Sequence, residues 1–238
     1  MPDAKTIWLF KDMLTKAGII DQLFLQFNRM LEKKGIITHK GTIVDATFVD
    51  APLQRNSRDE NKKIKEGEVP EEWKSEPHKM SQKDTDARWT KKGDEKHYGY
   101  KDHVKVDADS KLIVDYAVTP ANVHDSKEFE DFFNEQDEAA YADSAYVGKK
   151  LPKHVRNEVC EKGYRNKPLT DEQKENNRRK SKIRCRTEHV FAFMTVSMRG
   201  LTVRSIGIER AAFNIGLTNL VYNLCRYSFL SRKEAVTG

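Results

Sequence analysis

Hydrophobic and polar positions change their spacing several times along the chain, and each change marks an element. Residues 6–17 (TIWLFKDMLTKA) set Ile7, Phe10, Met13 and Leu14 on one helical stripe, and Gly18 is a stop. A second helix is expected over about 20–33, where Leu23, Phe27 and Met30 recur and Lys33-Lys34-Gly35 closes it. The spacing then becomes that of a strand. Over 41–49, Val44, Ala46 and Phe48 alternate with Ile43, Asp45, Thr47 and Val49. Apolar residues fall on both sides, as in an interior strand covered on both faces. Residues 97–107 and 112–119 also alternate, with Tyr98, Tyr100, Val104 and Val106 inward, and their short connection makes them an antiparallel hairpin.

Between the first strand and the hairpin runs a polar stretch, 51–95, anchored by little more than Ile64, Val69, Trp73, Met80 and Trp89. It reads as a partly mobile excursion, with Pro70-Glu71-Glu72-Trp73 opening a turn of helix. After Pro120 the pattern predicts a helix over about 125–134, capped by Asp125 or Ser126. A short apolar strand follows at 139–143 and another at about 156–160. Residues 161–180 are loop-like in composition. A long helix is expected over 180–199, then a bend at Arg199-Gly200 and an apolar helix over 208–230. This order predicts an α/β fold: an RNase H-like mixed β-sheet flanked by helices, with a long polar insertion after the first strand. The expected division is a helical region at 1–37, a catalytic domain at 38–205 and a C-terminal helix and tail at 206–238.

Charge sharpens the picture. The net charge is +6, yet residues 149–204 hold sixteen Lys/Arg against six Asp/Glu. A basic half beside an acidic half points to a polyanion partner met by one surface, or to a solvated face. Cys160, Cys185 and Cys225 are widely spaced and odd in number, which argues against a disulfide scaffold and fits a reducing cytoplasm. No signal layout opens the chain, and the apolar stretch from Ala211 to Leu230 is interrupted by Asn214, Asn219, Asn223 and Arg226, so no membrane span is expected. His97, His103, His124 and His189 share no short spacing and have no cysteine beside them, so zinc is not expected either.

Three acids stand where acids are awkward. Asp45 lies inside a β-branched strand, Asp143 ends a short apolar strand, and Glu188 sits on a helix one turn after Arg184. A buried carboxylate is costly without a cation or a donor, and a hydrogen-bonded core aspartate is the alternative reading of Asp45. Asp45 and Asp143 on adjacent strands, with Glu188 crossing above, would repel one another unless divalent cations met them. Mg²⁺ suits a few carboxylates and retained waters. Two such ions serve phosphodiester chemistry, with Arg184 and neighbouring cations on the transition-state charge.

The residues also carry a resemblance. Gly41-Thr-Ile-Val-Asp45-Ala-Thr, Asp84-Thr-Asp-Ala-Arg-Trp89, Tyr98-Gly-Tyr-Lys-Asp-His-Val104, Val118-Thr-Pro-Ala-Asn-Val-His-Asp-Ser126, Ala142-Asp-Ser-Ala-Tyr146 and Ile183-Arg-Cys-Arg-Thr-Glu-His-Val-Phe191 follow one another in order. Over about 38–205 the chain resembles bacterial insertion-sequence transposases of the IS4/IS5 type, a DDE family with an RNase H-like core. The resemblance implies Asp45, Asp143 and Glu188 as the metal-binding catalytic triad, with Mg²⁺ (Mn²⁺ as substitute) as cofactor. It implies cleavage at inverted-repeat ends, strand transfer into target DNA, and a homodimer in the active complex. Arg178, Arg179, Lys180, Lys182 and Arg186 are the expected contacts to double-stranded DNA.

Two positions depart from the family pattern: Ser181 stands where a tyrosine is usual and Thr195 where a lysine is usual. Residues 1–10 resemble a segment normally internal to these proteins, so a truncated copy or one frame of a split element is expected. Two rival readings follow: an inactive DNA-binding remnant that competes with full-length enzyme, and an RNase H-type nuclease.

Overall fold

β1 (Thr42–Asp50) occupies the middle of the sheet because both of its faces are apolar and both are covered. The computed structural model describes residues 1–51, 54–199 and 201–237, so Gly200 of the expected bend lies outside the described residues. β1 runs antiparallel to β3 (Glu95–Asp107) from Thr42 opposite Asp107 to Asp50 opposite Gly99. β3 pairs on with β4 (Ile113–Pro120) and, further out, with β2 (Arg88–Lys92). On its other edge β1 takes β5 (Ala139–Ala142) in parallel, and β5 takes β6 (Arg156–Val159), also in parallel. Among the described residues these strands make one mixed sheet, the expected RNase H-like arrangement.

The β3–β4 turn is built by Asp107, whose carboxylate accepts from Ser110 N and Oγ at 2.8 and 2.7 Å and reaches back to Thr38 N and His39 N. Gly99 is required where it stands: its φ is +150°, and a Cβ would come 2.3 Å from the Val49 carbonyl.

One face of the sheet, with Ile43, Val104, Val106 and Ile113, packs on α2 (Ile19–Lys33), α7 (Arg186–Val196) and α8 (Ile208–Thr237). Tyr98, Tyr100 and Val49 extend that face to Ala211 and Ile215 of α8. The opposite face sets Val44 and Ala142 against Phe129, Phe132 and Tyr146.

Several expectations are corrected. In α1 (Ala4–Lys16) the stripe of Ile7, Phe10 and Met13 is exposed. The helix is held instead by Lys11 on Asn214 and Asp12 on Arg210. In α2 the buried apolar residues are Ile20, Phe24 and Leu31, while Leu23 and Met30 face outward. The polar stretch is folded: α3 (Arg58–Lys65) opens on a Ser57/Glu60 capping box, and α4 (Glu71–Lys74) and α5 (Pro77–Met80) follow. Trp73, 1% exposed, anchors it by donating to Glu60 Oε1 at 2.7 Å.

The helix expected at 125–134 is two short 3₁₀ turns. Its cap is the His124 side chain rather than Asp125 or Ser126, because Asp125 is drawn to Lys101 at 2.6 Å. The buried Lys105 ammonium takes the Phe132 carbonyl at 2.8 Å, which would otherwise extend a helix. The single helix expected over 180–199 is likewise two, α6 (Asp171–Arg184) and α7, meeting at Cys185. α6 starts nine residues earlier than expected because Thr170 and Gln173 form a second capping box.

Candidate active site

Parallel pairing sets Thr42 opposite Ala140 and Ile43 opposite Tyr141. Two steps further along both strands, Asp45 and Asp143 stand at the same level, where β5 ends and the chain turns away. Asp143 caps that turn by accepting from Ala145 N at 2.7 Å. Asp45 accepts from the following amide, Ala46 N, at 2.9 Å. Ligands collect where the strands of an open sheet diverge, and this is such a place.

α7 crosses the same face and brings the third acid. Thr187, Val190 and Met194 are buried beneath it, which leaves Glu188 exposed at the near end. Arg184, the last residue of α6, spans the acids: its guanidinium lies 3.7 Å from Asp45 and 4.0 Å from Glu188. Among the described residues no three metal-ligating side chains are close enough to hold an ion without movement. The register therefore sets Asp45 beside Asp143, and Arg184 joins Glu188 to Asp45.

Burial pushes Asp45 up to about 6, and the neighbouring Asp143 adds to this, while the Ala46 amide, Arg184 and Lys92 oppose it. Tyr146 lies under the same acids. Its hydroxyl is buried without a partner among the described residues, and its pKa is raised first by burial and then by Asp125, Asp45 and Asp143. Paired carboxylates, an uncommitted hydroxyl and a third exposed carboxylate form an all-oxygen donor set. Such a set fits a hard divalent cation that keeps several waters.

The expected DNA contacts separate into two groups. Arg178 and Lys182 project from α6 into solvent, Arg178 with only Glu175 at 3.8 Å beside it. Lys180 is buried and donates to the Val159 carbonyl at 2.9 Å, so it fastens α6 to β6 rather than facing a ligand. Arg179 pairs with Glu158 at 3.3 Å, and Arg186 reaches the Ala108 carbonyl at 2.5 Å.

The block from Asp84 to Trp89 also has an internal role that the sequence did not disclose. The Asp84 carboxylate accepts from Tyr100 Oη, from the Asp86 and Ala87 amides and from Gly207 N, and Asp86 accepts from Ile208 N at 2.8 Å. Two aspartates thus clamp the start of α8 to the insertion and β3. His103, 1% exposed, shares a 2.8 Å hydrogen bond with Thr119 Oγ1, and burial lowers its pKa to about 4, so it is a neutral core residue.

Residues 37–224 match the family model described as the transposase DDE domain. This chain therefore belongs to the DDE transposase family, whose activity is metal-dependent cleavage and transfer of DNA strands. No solved structure matches it.

Proposed function

We propose that this protein is an insertion-sequence transposase of the IS4/IS5 type, cleaving DNA at element ends and joining the freed 3′-ends to target DNA. The observation that carries the reading is the adjacency of Asp45 and Asp143 at the end of β5, with Glu188 brought over them by α7. In this reading residues 38–205 form the catalytic domain, between the helical region at 1–37 and the C-terminal segment at 206–238.

Asp45, Asp143 and Glu188 would hold Mg²⁺, or Mn²⁺ in its place. When bound, such ions lower the pKa of an attacking water or 3′-hydroxyl and offset charge on the leaving oxygen. The chain's own groups do the rest. Arg184 keeps Glu188 aimed at the site and presents a guanidinium to the phosphate. Arg178 and Lys182 hold the DNA backbone, and a homodimer brings two element ends together. No described helix is long and apolar enough to cross a membrane, and a bacterial cytoplasmic, DNA-associated protein suits this activity.

The second reading, a DNA-binding remnant without activity, is favoured by Ser181 and Thr195, which place no phenol and no ammonium where the family has them. One experiment separates the two. The protein and its Asp143→Asn variant are incubated with Mg²⁺ or Mn²⁺ and a labelled duplex carrying the inverted repeats that flank the coding sequence. Metal-dependent nicking by the unsubstituted protein alone supports the enzyme. Binding without nicking by either protein supports the remnant.

A further inference from the structure

Asp45 and Asp143 meet across the shortest strand ladder among the described residues. β1 runs against β3 along its whole length, but it pairs with β5 only at Thr42–Ala140 and Ile43–Tyr141. The side chains of β5 do little to choose that register. Ala139, Ala140 and Ala142 are alike and buried on both faces, so a slip by one residue leaves the apolar pattern nearly unchanged. The same slip would turn Asp143 to the other face of the sheet, away from Asp45.

A buried charged pair stands where this ladder begins. His39 and Asp137 are 98 residues apart, the separation of Thr42 and Ala140 and again of Asp45 and Asp143. They are partners in the same register, each six residues before one of the acids. His39 Nδ1 lies 3.4 Å from Asp137 Oδ1, and the two backbones meet there as well, Glu138 N donating to the His39 carbonyl at 3.0 Å. Other elements brace the pair. Lys105 of β3 and the Asn134 amide donate to Asp137 Oδ2 at 2.6 and 2.9 Å. Glu32 of α2 lies 3.2 Å from His39 Nε2, and the Asp107 carboxylate accepts from His39 N.

His39 holds a φ of +56°, a conformation that a residue with a side chain keeps only where its surroundings fix it. Asp137 lifts the His39 pKa, burial opposes this and Glu32 adds to the rise, which favours the protonated ring. Burial works against the Asp137 charge, yet His39 and Lys105 hold its carboxyl below its ordinary value. We propose that His39 and Asp137 are positioning residues: their ion pair fixes the register of β5 on β1 and so keeps Asp143 beside Asp45. A polar pair in an apolar setting suits this task, because only one alignment satisfies it. The proposal rests on the transposase reading for the role of the acids, whereas the register can be measured without it.

The test needs neither metal nor DNA. In a chain with Cys160, Cys185 and Cys225 replaced by alanine, Asp45→Cys and Asp143→Cys are introduced, and disulfide formation under mild oxidation is followed by peptide mapping. The bond needs Cα atoms within about 7 Å and side chains on one face, which this register gives and a slipped one does not. The protein with His39 intact is expected to cross-link. His39→Gly suits the left-handed backbone and leaves Asp137 with Lys105, so the chain is expected to fold. Its cross-linking is expected to fall at least about fivefold. His39→Gln, which keeps a donor for Asp137, is expected to regain part of that loss.

Amide exchange in the chain with its acids intact gives a second readout. His39→Gly is expected to speed exchange over residues 139–142 while residues 100–106 of β3 keep their protection. Equal cross-linking with and without His39, no cross-link in the protein that has His39, or protection lost evenly from both strands overturns the register role. Cross-linking that depends on His39, with no metal-dependent nicking by the unsubstituted chain, upholds it and counts against the enzymatic reading alone.

Discussion

Arg184 holds its Nη1 3.7 Å from Asp45 Oδ2 while its Nη2 lies 4.0 Å from Glu188 Oε1, so one guanidinium neutralises two of the acids proposed to hold metal. A divalent ion entering between them meets a competing cation. Arg184→Gln is expected to tighten Mn²⁺ binding about three- to tenfold, by removal of the nearby positive charge. It is also expected to slow DNA nicking, since in the proposed reaction the same guanidinium would face the phosphate. Calorimetric Mn²⁺ titration beside a nicking assay checks both directions, and unchanged metal affinity contradicts the competition.

The cations of α6 divide by what they touch. Arg178→Gln and Lys182→Gln are each expected to weaken DNA binding and to lower the salt slope by about one. Lys180→Met is expected to act on folding, because it removes the Val159 carbonyl's buried donor. Its melting temperature should fall, with the salt slope unchanged. Filter binding at several salt concentrations, together with thermal unfolding, distinguishes the two behaviours.

Asp102 predicts a pH dependence. It is wholly buried on β3; one oxygen accepts from Asn219 Nδ2 at 3.2 Å and the other has no partner among the described residues. Burial pushes its pKa from 3.8 up to about 8, opposed by the Asn219 hydrogen bond. Between those values the folded chain keeps the proton and the unfolded chain releases it. Its contribution to stability therefore falls as pH rises through that window. Asp102→Asn should be the more stable protein at pH 8, by on the order of 2 kcal/mol or about 4–8 °C in Tm. The advantage should shrink towards pH 4. A difference that stays constant with pH contradicts the assignment.

Trp73 is the core of the insertion. Trp73→Ala removes its largest buried ring, taking the indole donor from Glu60 and the ring from beside Lys83. A local loss of about 3–5 kcal/mol is expected. Limited trypsin digestion is then expected to cut faster at the lysines of α3 than in the unsubstituted protein.

Gly216 gives a packing test. A Cβ there would lie 2.2 Å from the hydroxyl of Tyr116, which is fixed on Asp21. Gly216→Ala should cost about 1–3 kcal/mol, and Tyr116→Phe should return part of that loss. Additive effects of the two substitutions in thermal unfolding would contradict the contact.

β1 and its neighbours were legible because a strand covered on both faces must be apolar on both, and that needs no knowledge of partners. Asp45 stood out for the same reason, as a charge in an apolar strand. Its adjacency to Asp143 followed from strand order, while its attachment to Arg184 depended on where α6 ends. The α6 start was also available in the sequence, as Thr170 and Gln173 at capping-box spacing.

Other features were fixed only when distant segments met. Lys180 and Arg178 are two residues apart on one helix and carry the same charge, yet of the two only Lys180 turns under β6 and is used up there. Asp84 and Asp86 read as motif acids until α8 returned from more than a hundred residues away to present its free amides. Local spacing determined the elements, the interior strand and the acids out of place. Which charges face solvent and which are spent inside was decided by the tertiary structure, because a side chain's partner depends on segments far apart in the chain.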